Sequence, residues 1–455
     1  MPNPLPVRQS PDPHAPDRGG NHTRRLSSAK IGAISLAGTT IEWYDFFIYG
    51  TAAALVFPRV FFPEMTPFLA TLVSFSTFAV GIVARPLGGI VFGHFGDRVG
   101  RKKVLVIAMV LMGTSTALIG ALPSAATIGI AAPLLLILLR VVQGIALGGQ
   151  WGGSVLIVTE NAAPGRRGFF GAIPQLGNGF GILFANAAFL ILTLASPEAF
   201  LAWAWRIPFL VSVVLVGVAI YMNHRLEDTV DFEKATTTGT ARSPIITVIR
   251  RYPREILLAG GAFMIVNAGY FIASTYGLSY GTEVLQVSRS TILLGIVVSA
   301  LISIPITLYA GHLSDRFGRR VVYTTAAVAH LLWVFPFFWL FDSRSGVAIW
   351  IALIVSQVTL NAMYGPLAAL FSELFEPRVR YSGASLAYQF GAVFGGGFAP
   401  TICAALYEAF QTSLAISAYW AVVAAISLVA IIVLTVRQRT PEAGPSPTDP
   451  AVAKA

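Results

Sequence analysis

The stretch that decides the fold occurs twice: GHFGDRVGRKK from Gly93 to Lys103, and GHLSDRFGRRV from Gly311 to Val321. Each copy sets glycines around an Asp-Arg pair and ends in basic residues, and each follows a long apolar segment and precedes another. Asp97 and Asp315 stand 218 residues apart, close to half of the 455-residue chain, so the copies mark equivalent points of an internal repeat.

Outward from these loops, apolar segments recur at about residues 31–56, 68–93, 104–122, 129–160, 169–194 and 206–223. Six more follow at about 256–280, 291–312, 321–341, 346–373, 381–406 and 413–436. One membrane-spanning helix needs roughly 20 apolar residues. The pattern predicts an all-α membrane protein of 12 transmembrane helices in two six-helix bundles, 31–223 and 255–436, joined by a central cytoplasmic loop, 224–254. Six segments per half give both halves one orientation, so they are parallel repeats about an axis along the membrane normal. Residues 1–30 and 437–455 are polar and read as disordered tails. The first tail lacks the apolar run of a cleavable signal peptide. The chain is 55% hydrophobic and only 11% charged, which excludes a soluble enzyme or a receptor with a large extramembrane domain. The single cysteine, Cys403, excludes an intrachain disulfide framework and a zinc ribbon.

The net charge of +10 is a topology signal. With both termini cytoplasmic, tails and inside loops hold 25 of the 31 basic residues and outside loops hold only Arg59, Arg289 and Arg344. The expected company of this charge is the anionic inner leaflet of the bilayer, not nucleic acid.

The remaining bases, Arg85, Arg140 and Arg206, fall within or at the edge of apolar segments. Segment one reads IEWYDFFIYG, and its Glu42, Asp45 and Tyr49 are spaced by three and four, on one helical face. A carboxylate at mid-bilayer costs at least about 2.5 kcal/mol on insertion scales, so it must face a cavity or a partner. Burial and a neighbouring arginine pull a carboxyl's proton affinity in opposite directions, which is the tuning a proton site needs. Arg140 is the expected partner of Asp45, or else the acceptor of a substrate carboxylate. Arg140, Gln143, Gln150 and Ser154 share one side of segment four, and Gly144, Gly148 and Gly152 allow close approach on another. Arg85 is the second buried cation. Helix-to-helix glue is the competing reading for both arginines, and a structural ion pair is the competing reading for the acids.

Neutral polar stripes mark other segments: Gln175, Asn178 and Asn186 in five, Asn267, Tyr270 and Ser274 in seven, Gln357, Asn361 and Tyr364 in ten, Tyr388 and Gln389 in eleven. Segments three, six and twelve offer little beyond Ser and Thr. Polar helices should line water and apolar ones face lipid, so a central aqueous cavity is expected. His330 sits in an otherwise apolar, aromatic segment nine and reads as a packed histidine rather than a proton relay. No metal site is expected.

The repeated loops resemble the cytoplasmic loop motif of the major facilitator superfamily. EWYDFFIYG, ARPLGG, RVVQGIALGGQWGG, WRIPFL and ELFEPRVRYSGASLAYQFG, in that order, resemble its metabolite:proton symporters, which carry shikimate, 2-oxoglutarate, citrate and proline/betaine. The resemblance implies gating loops, with Asp97, Arg98 and Arg101 in one and Asp315, Arg316 and Arg319 in the other. Asp97 would sit at the N-terminus of segment eleven and Asp315 at that of segment five. Arg101 would pair with Glu160, and Arg319 with Glu373. One departure is Gln150, where the family often has glutamate.

The expected function is a proton-coupled importer of a small organic acid, monomeric, in the cytoplasmic (inner) membrane, with no cofactor besides the coupling proton. Asp45 and Glu42 would carry the proton. Arg140, Arg85, Tyr49, Gln143, Gln150, Gln175, Asn178, Asn267, Tyr270, Gln357, Asn361 and Tyr388 would line the substrate site. No GxxxxGK[ST] loop is present, so nucleotide-driven transport is not expected. The rivals are a betaine/proline symporter with Trp43, Tyr44 and Trp151 as an aromatic cage, a multidrug exporter, and a transporter-like nutrient sensor.

Overall fold

The computed structural model describes residues 28–99, 101–148, 155–217 (apart from 157, 161, 164 and 215), 244–376 and 379–437. The tails, most of the central loop, Gln150, Trp151, Gly152 and Ser154 lie outside the described residues, as do the side chains of Asp97, Arg98 and Arg101.

The described residues are helical and contain no strand. In the N-terminal half, the long helices are α1 (Ser28–Leu55), α2 (Pro67–Val99), α3 (Arg101–Ala121), α4 (Ala131–Leu147), α5 (Arg167–Ala195) and α6 (Ala204–Val214). The C-terminal half holds α7 (Pro253–Val284), α8 (Arg289–Phe317), α9 (Arg319–Asp342), α10 (Gly346–Leu374), α11 (Arg380–Phe410) and α12 (Ser413–Arg437). Eight of them, α2, α5 and α7 to α12, are long and apolar enough to cross a membrane. Shorter apolar stretches come from α3, α4 and α6, and α1 carries Glu42 and Asp45 in its middle.

The packing is that of a protein dissolved in lipid. Leu87, Leu134, Leu138, Leu332 and Trp339 are exposed on the outside, whereas Arg140, Asn178, Gln357 and Asn361 are buried. In water this arrangement would be costly; in hydrocarbon it is the favourable one, because polar groups must find partners inside. Small residues let the helices close on these groups. A Cβ on Gly144 would strike the carbonyl oxygen of Gly81, so α4 crosses α2 backbone to backbone between Arg85 and Arg140. Across the seam between halves, Gly168 of α5 meets Gly311 of α8 in the same way. The turn between α8 and α9 needs Gly318, whose φ of 89° is a left-handed conformation that disfavours a side chain.

α7 and α11 depart from regular α-helix where they face each other. α7 widens to π-helical turns at Phe271–Tyr276 and Tyr280–Val284, and α11 at Ala392–Gly397. Gly396 makes room for the Asn267 side chain, which a Cβ there would overlap.

Candidate functional site

Two buried acids and two buried arginines meet where α1, α2 and α4 converge, and they pair differently from the sequence expectation. Arg85 Nη2 donates to Glu42 Oε1 at 2.6 Å, both side chains being almost fully buried. Arg85 also lies 4.8 Å from the Phe46 ring centroid. Arg140 forms no ion pair with Asp45. Its Nη1 donates to Gln143 Oε1 at 2.5 Å, while Nε and Nη2 have no hydrogen-bond partner among the described residues. The guanidinium lies over the Tyr49 ring at 4.0 Å, with Phe78 at 5.1 Å and Phe46 at 5.2 Å. Tyr49 itself is held by a 2.6 Å hydrogen bond with Thr77.

Asp45 is 0% exposed and takes its one hydrogen bond from α3, where Thr116 Oγ1 donates to Oδ2 at 3.0 Å. Its Oδ1 has no partner among the described residues. Gln143 Nε2 donates to the same Thr116 oxygen at 2.8 Å. Arg140 and Asp45 are therefore joined through Gln143 and Thr116 instead of directly. Thr116 is the residue that sequence reasoning missed: segment three was expected to face lipid. Its only signal in the sequence is the run of hydroxyls Thr114-Ser115-Thr116 in an otherwise apolar helix.

The C-terminal half supplies neutral polar groups. Tyr270 and Thr307 both donate to Asn361 Oδ1 at 3.0 Å, and Asn361 Nδ2 donates to Gln357 Oε1 at 3.1 Å. Tyr388 stacks on Phe263 with centroids 4.4 Å apart. Gln389 donates across the seam to the Gly148 carbonyl at 3.2 Å, and Gln175 to that of Tyr364 at 3.4 Å. Both amide atoms of Asn178, and Asn267 Oδ1, are buried without a hydrogen-bond partner among the described residues. At the centre Trp43 meets the edges of Tyr270 and Tyr364, each at 6.2 Å.

The expected aqueous hollow is closed in this conformation. None of these central polar side chains is more than 5% exposed, and the halves touch at both ends of the seam. At the end bearing the repeated loops, Asp315 accepts from the backbone N–H of Gly168 and Phe169 at 2.8 Å each, at the N-terminus of α5. Arg319 ties Asp315 at 2.7 Å to Glu373 at 3.3 Å, beside a cavity of about 420 Å³. Arg316 lies outside this pairing, 5.3 Å from the Phe317 ring. Glu160 pairs with Arg380 at 3.1 Å. At the opposite end Arg59 pairs with Glu283 at 3.2 Å, and Arg289 lies 4.9 Å from the Phe200 ring. Charged groups are thus sealed inside, with a polar clasp at each end.

His330 stands apart from the seam. Its Nδ1 is 2.8 Å from Thr359 Oγ1, and its ring lies 5.0 Å from Trp420. Among the described residues no group of His, Cys, Asp and Glu could hold a metal ion.

Residues 35–400 match the model of the Major Facilitator Superfamily. The chain is 40% identical to the shikimate transporter of Escherichia coli (strain K12), over 87% of its own length and 91% of the relative's. It is also 40% identical to an inner membrane metabolite transport protein of the same organism, over 91% and 96%. A proline/betaine transporter of Salmonella typhimurium is 34% identical over 92% and 85%. Among solved structures, a D-xylose-proton symporter superposes with a TM-score of 0.71 at 16% identity, over 89% of this chain and 97% of that one, which speaks for the fold. A multi-pass inner-membrane transporter accounts for the lipid-facing exterior, the internal repeat and these relatives together. The chain belongs to the major facilitator superfamily, and its motifs and relatives match that superfamily's metabolite:proton symporter family.

Proposed function

We propose that this protein is a proton-coupled secondary active transporter that imports a small organic acid by alternating access of two six-helix bundles. The observation that carries the reading is Arg140: a fully buried guanidinium with two nitrogens unpartnered and no acid in ion-pair contact among the described residues. Guanidinium stays charged at any physiological pH. An uncompensated buried charge costs several kcal/mol, so the site favours a visiting anion, and a carboxylate suits the planar fork.

Asp45 is the proton carrier in this reading. Glu42 is the weaker candidate, because its charge is already committed to Arg85. For the same reason Arg85 positions Glu42 rather than binding substrate. Asn178, Asn267 and the Gln357–Asn361–Tyr270 set would meet the uncharged part of the acid. The clasp at the loop end and the Arg59–Glu283 pair would open in alternation, with the loop end cytoplasmic.

A second reading, a symporter of betaine or proline, draws support from the Trp43–Tyr270–Tyr364 rings, which can face a quaternary ammonium, and from the proline/betaine relatives. Uptake into proteoliposomes under an imposed pH gradient separates the two. Cyclic hydroxylated acids and dicarboxylates are tested beside betaine and proline. Acid-driven accumulation of an organic acid is expected. Accumulation of betaine alone would establish the second reading, and no gradient-driven uptake of any compound would refute both. In Asp45→Asn, uphill accumulation should be lost while substrate exchange persists. Undiminished uphill uptake in that variant would remove Asp45 from the proton pathway.

A further inference from the structure

The two functional charges of the N-terminal half are joined by a hydrogen-bonded chain whose direction is fixed by chemistry. Arginine has donors only, so Gln143 must turn its oxygen to Arg140 Nη1. That leaves the Gln143 amide nitrogen to donate to Thr116 Oγ1. With its oxygen occupied, the Thr116 hydroxyl directs its single hydrogen to one of two acceptors in reach, Asp45 Oδ2 at 3.0 Å or the Met112 carbonyl at 2.9 Å. All four side chains are 1% exposed or less, so no bulk water shorts the chain.

We propose that Gln143 and Thr116 are positioning residues that couple substrate binding at Arg140 to proton binding at Asp45. The proposal rests on the transport reading above and adds how its two sites communicate. In the empty site, Arg140 polarises Gln143, Gln143 polarises Thr116, and Thr116 donates to ionised Asp45; bonds in such a chain strengthen one another. A carboxylate that claims Arg140 competes for the donor held by Gln143. Thr116 then turns its hydrogen to the Met112 carbonyl, and Asp45 loses the donor that favours its ionised form. One proton from water on the open side binds Asp45, and the new O–H donates to Thr116 Oγ1, reversing the last link. No other covalent bond forms or breaks, and the proton leaves to water on the other side. Substrate and proton each favour the other's binding, which is the reciprocity symport requires.

The charged and titratable groups that act on Asp45 are Glu42 and Tyr44 on α1 and Arg140 on α4; one contact further out, Tyr49 of α1 lies against Arg140 and Arg85 of α2 against Glu42. From α3, neutral Thr116 reaches it. Gln143 touches none of the Asp45 oxygens, so its hydrogen-bonded route to Asp45 runs through Thr116; a Gln143 change that instead let Arg140 move onto Asp45 would lower the Asp45 midpoint, the opposite sign.

The test follows the carboxylic-acid C=O stretch of protonated Asp45 by infrared difference spectroscopy, titrating the full-length protein in lipid nanodiscs. The band is identified by its loss in Asp45→Asn. Thr116→Val should move the Asp45 midpoint upward by about half to one pH unit, a three- to tenfold change in proton affinity, less than the roughly one to two units of a full hydrogen bond to a charged group because Thr116 also accepts from the protonated acid. Gln143→Leu should move it in the same direction by a smaller amount, and Thr116→Ser should restore the wild-type midpoint. A Gln143→Leu midpoint equal to wild type, with Thr116→Val shifted, would show Thr116 acting alone and overturn the proposal. An unshifted Thr116→Val would overturn it outright. This titration needs no transported substrate, so failure of the chain is distinguishable from failure of the uptake assay.

Discussion

The clasp at the loop end lends itself to a quantitative test through Asp315. Its carboxylate accepts two backbone N–H groups at 2.8 Å and Arg319 at 2.7 Å, with only 8% of the side chain exposed. Hydrogen bonds to a charged group are worth a net of about 1.5–3 kcal/mol each, and a carboxylate at a helix N-terminus adds about 0.3–1 kcal/mol. Opening this end transfers both N–H groups to water and breaks both bonds together. At the lower end of that net range the two bonds together make Asp315→Ala shift the closed-to-open equilibrium by about 3 kcal/mol, roughly a hundredfold. Asp315→Asn keeps one acceptor oxygen but loses the charge, so a shift of about tenfold is expected. Hydrogen–deuterium exchange in nanodiscs reads this directly, because the reporting amides, Gly168 and Phe169, are the ones released. The first turn of α5 should exchange faster in the order Ala, Asn, wild type, with α12 unchanged. Equal protection in all three proteins would refute the clasp. Acceleration along the whole of α5 would instead mean that Asp315 holds the fold and not the gate.

Arg140→Lys should raise KM for an organic acid at least about tenfold with the protein still folded, because a point charge cannot form a bidentate carboxylate contact; uptake kinetics check it, and normal KM would return Arg140 to a structural role. Glu283→Gln should alter uptake by less than about fivefold, since an ion pair this exposed contributes about 1 kcal/mol or less, and the difference should shrink at high salt. The same assay run at two ionic strengths is sufficient. His330→Gln should lower thermal stability by about 1–2 kcal/mol through lost packing against Trp420 while leaving the pH profile of uptake in place; a moved profile would bring His330 into the proton path.

The architecture was legible because membrane folds write themselves in long stretches. The repeated loop at Gly93 and Gly311, and the periodic apolar segments, needed no knowledge of packing. The buried charges were legible for a related reason: an ionisable residue in hydrocarbon is expensive enough to be conspicuous, so Glu42, Asp45, Arg85 and Arg140 stood out individually. Their partners did not. Helical spacing says which face a residue occupies, but the pairing depends on rotation and depth between helices, which put Arg85 against Glu42 and left Arg140 without the direct pair to Asp45 that was expected. Likewise Glu160 meets Arg380, a residue 220 positions away whose approach no local pattern announces. Thr116 was invisible because threonine is cheap in a membrane helix, where its hydroxyl usually bonds the preceding turn, as this one also does to Met112.

The distribution of charge between the halves bears on how such a machine would couple its steps. Among the described residues the acids and arginines at the centre, Glu42, Asp45, Arg85 and Arg140, belong to α1, α2 and α4, on one side of the seam. The C-terminal half faces them with amides and phenols: Asn267, Tyr270, Gln357, Asn361, Tyr388 and Gln389. Under the proposed function, proton and carboxylate therefore bind within a single bundle, and the other bundle contributes shape and hydrogen bonds. Rocking need not bring any charge pair together or pull one apart at the centre, a step that would cost several kcal/mol in a low-dielectric interior. The ion pairs that would have to break on such rocking, Arg59–Glu283 and Arg380–Glu160, lie at the exposed ends, where water would compensate most of the loss. Under the proposed function, permanent charges on one side and breakable ones at the rims would keep the barrier between states low while the loaded site stays sealed.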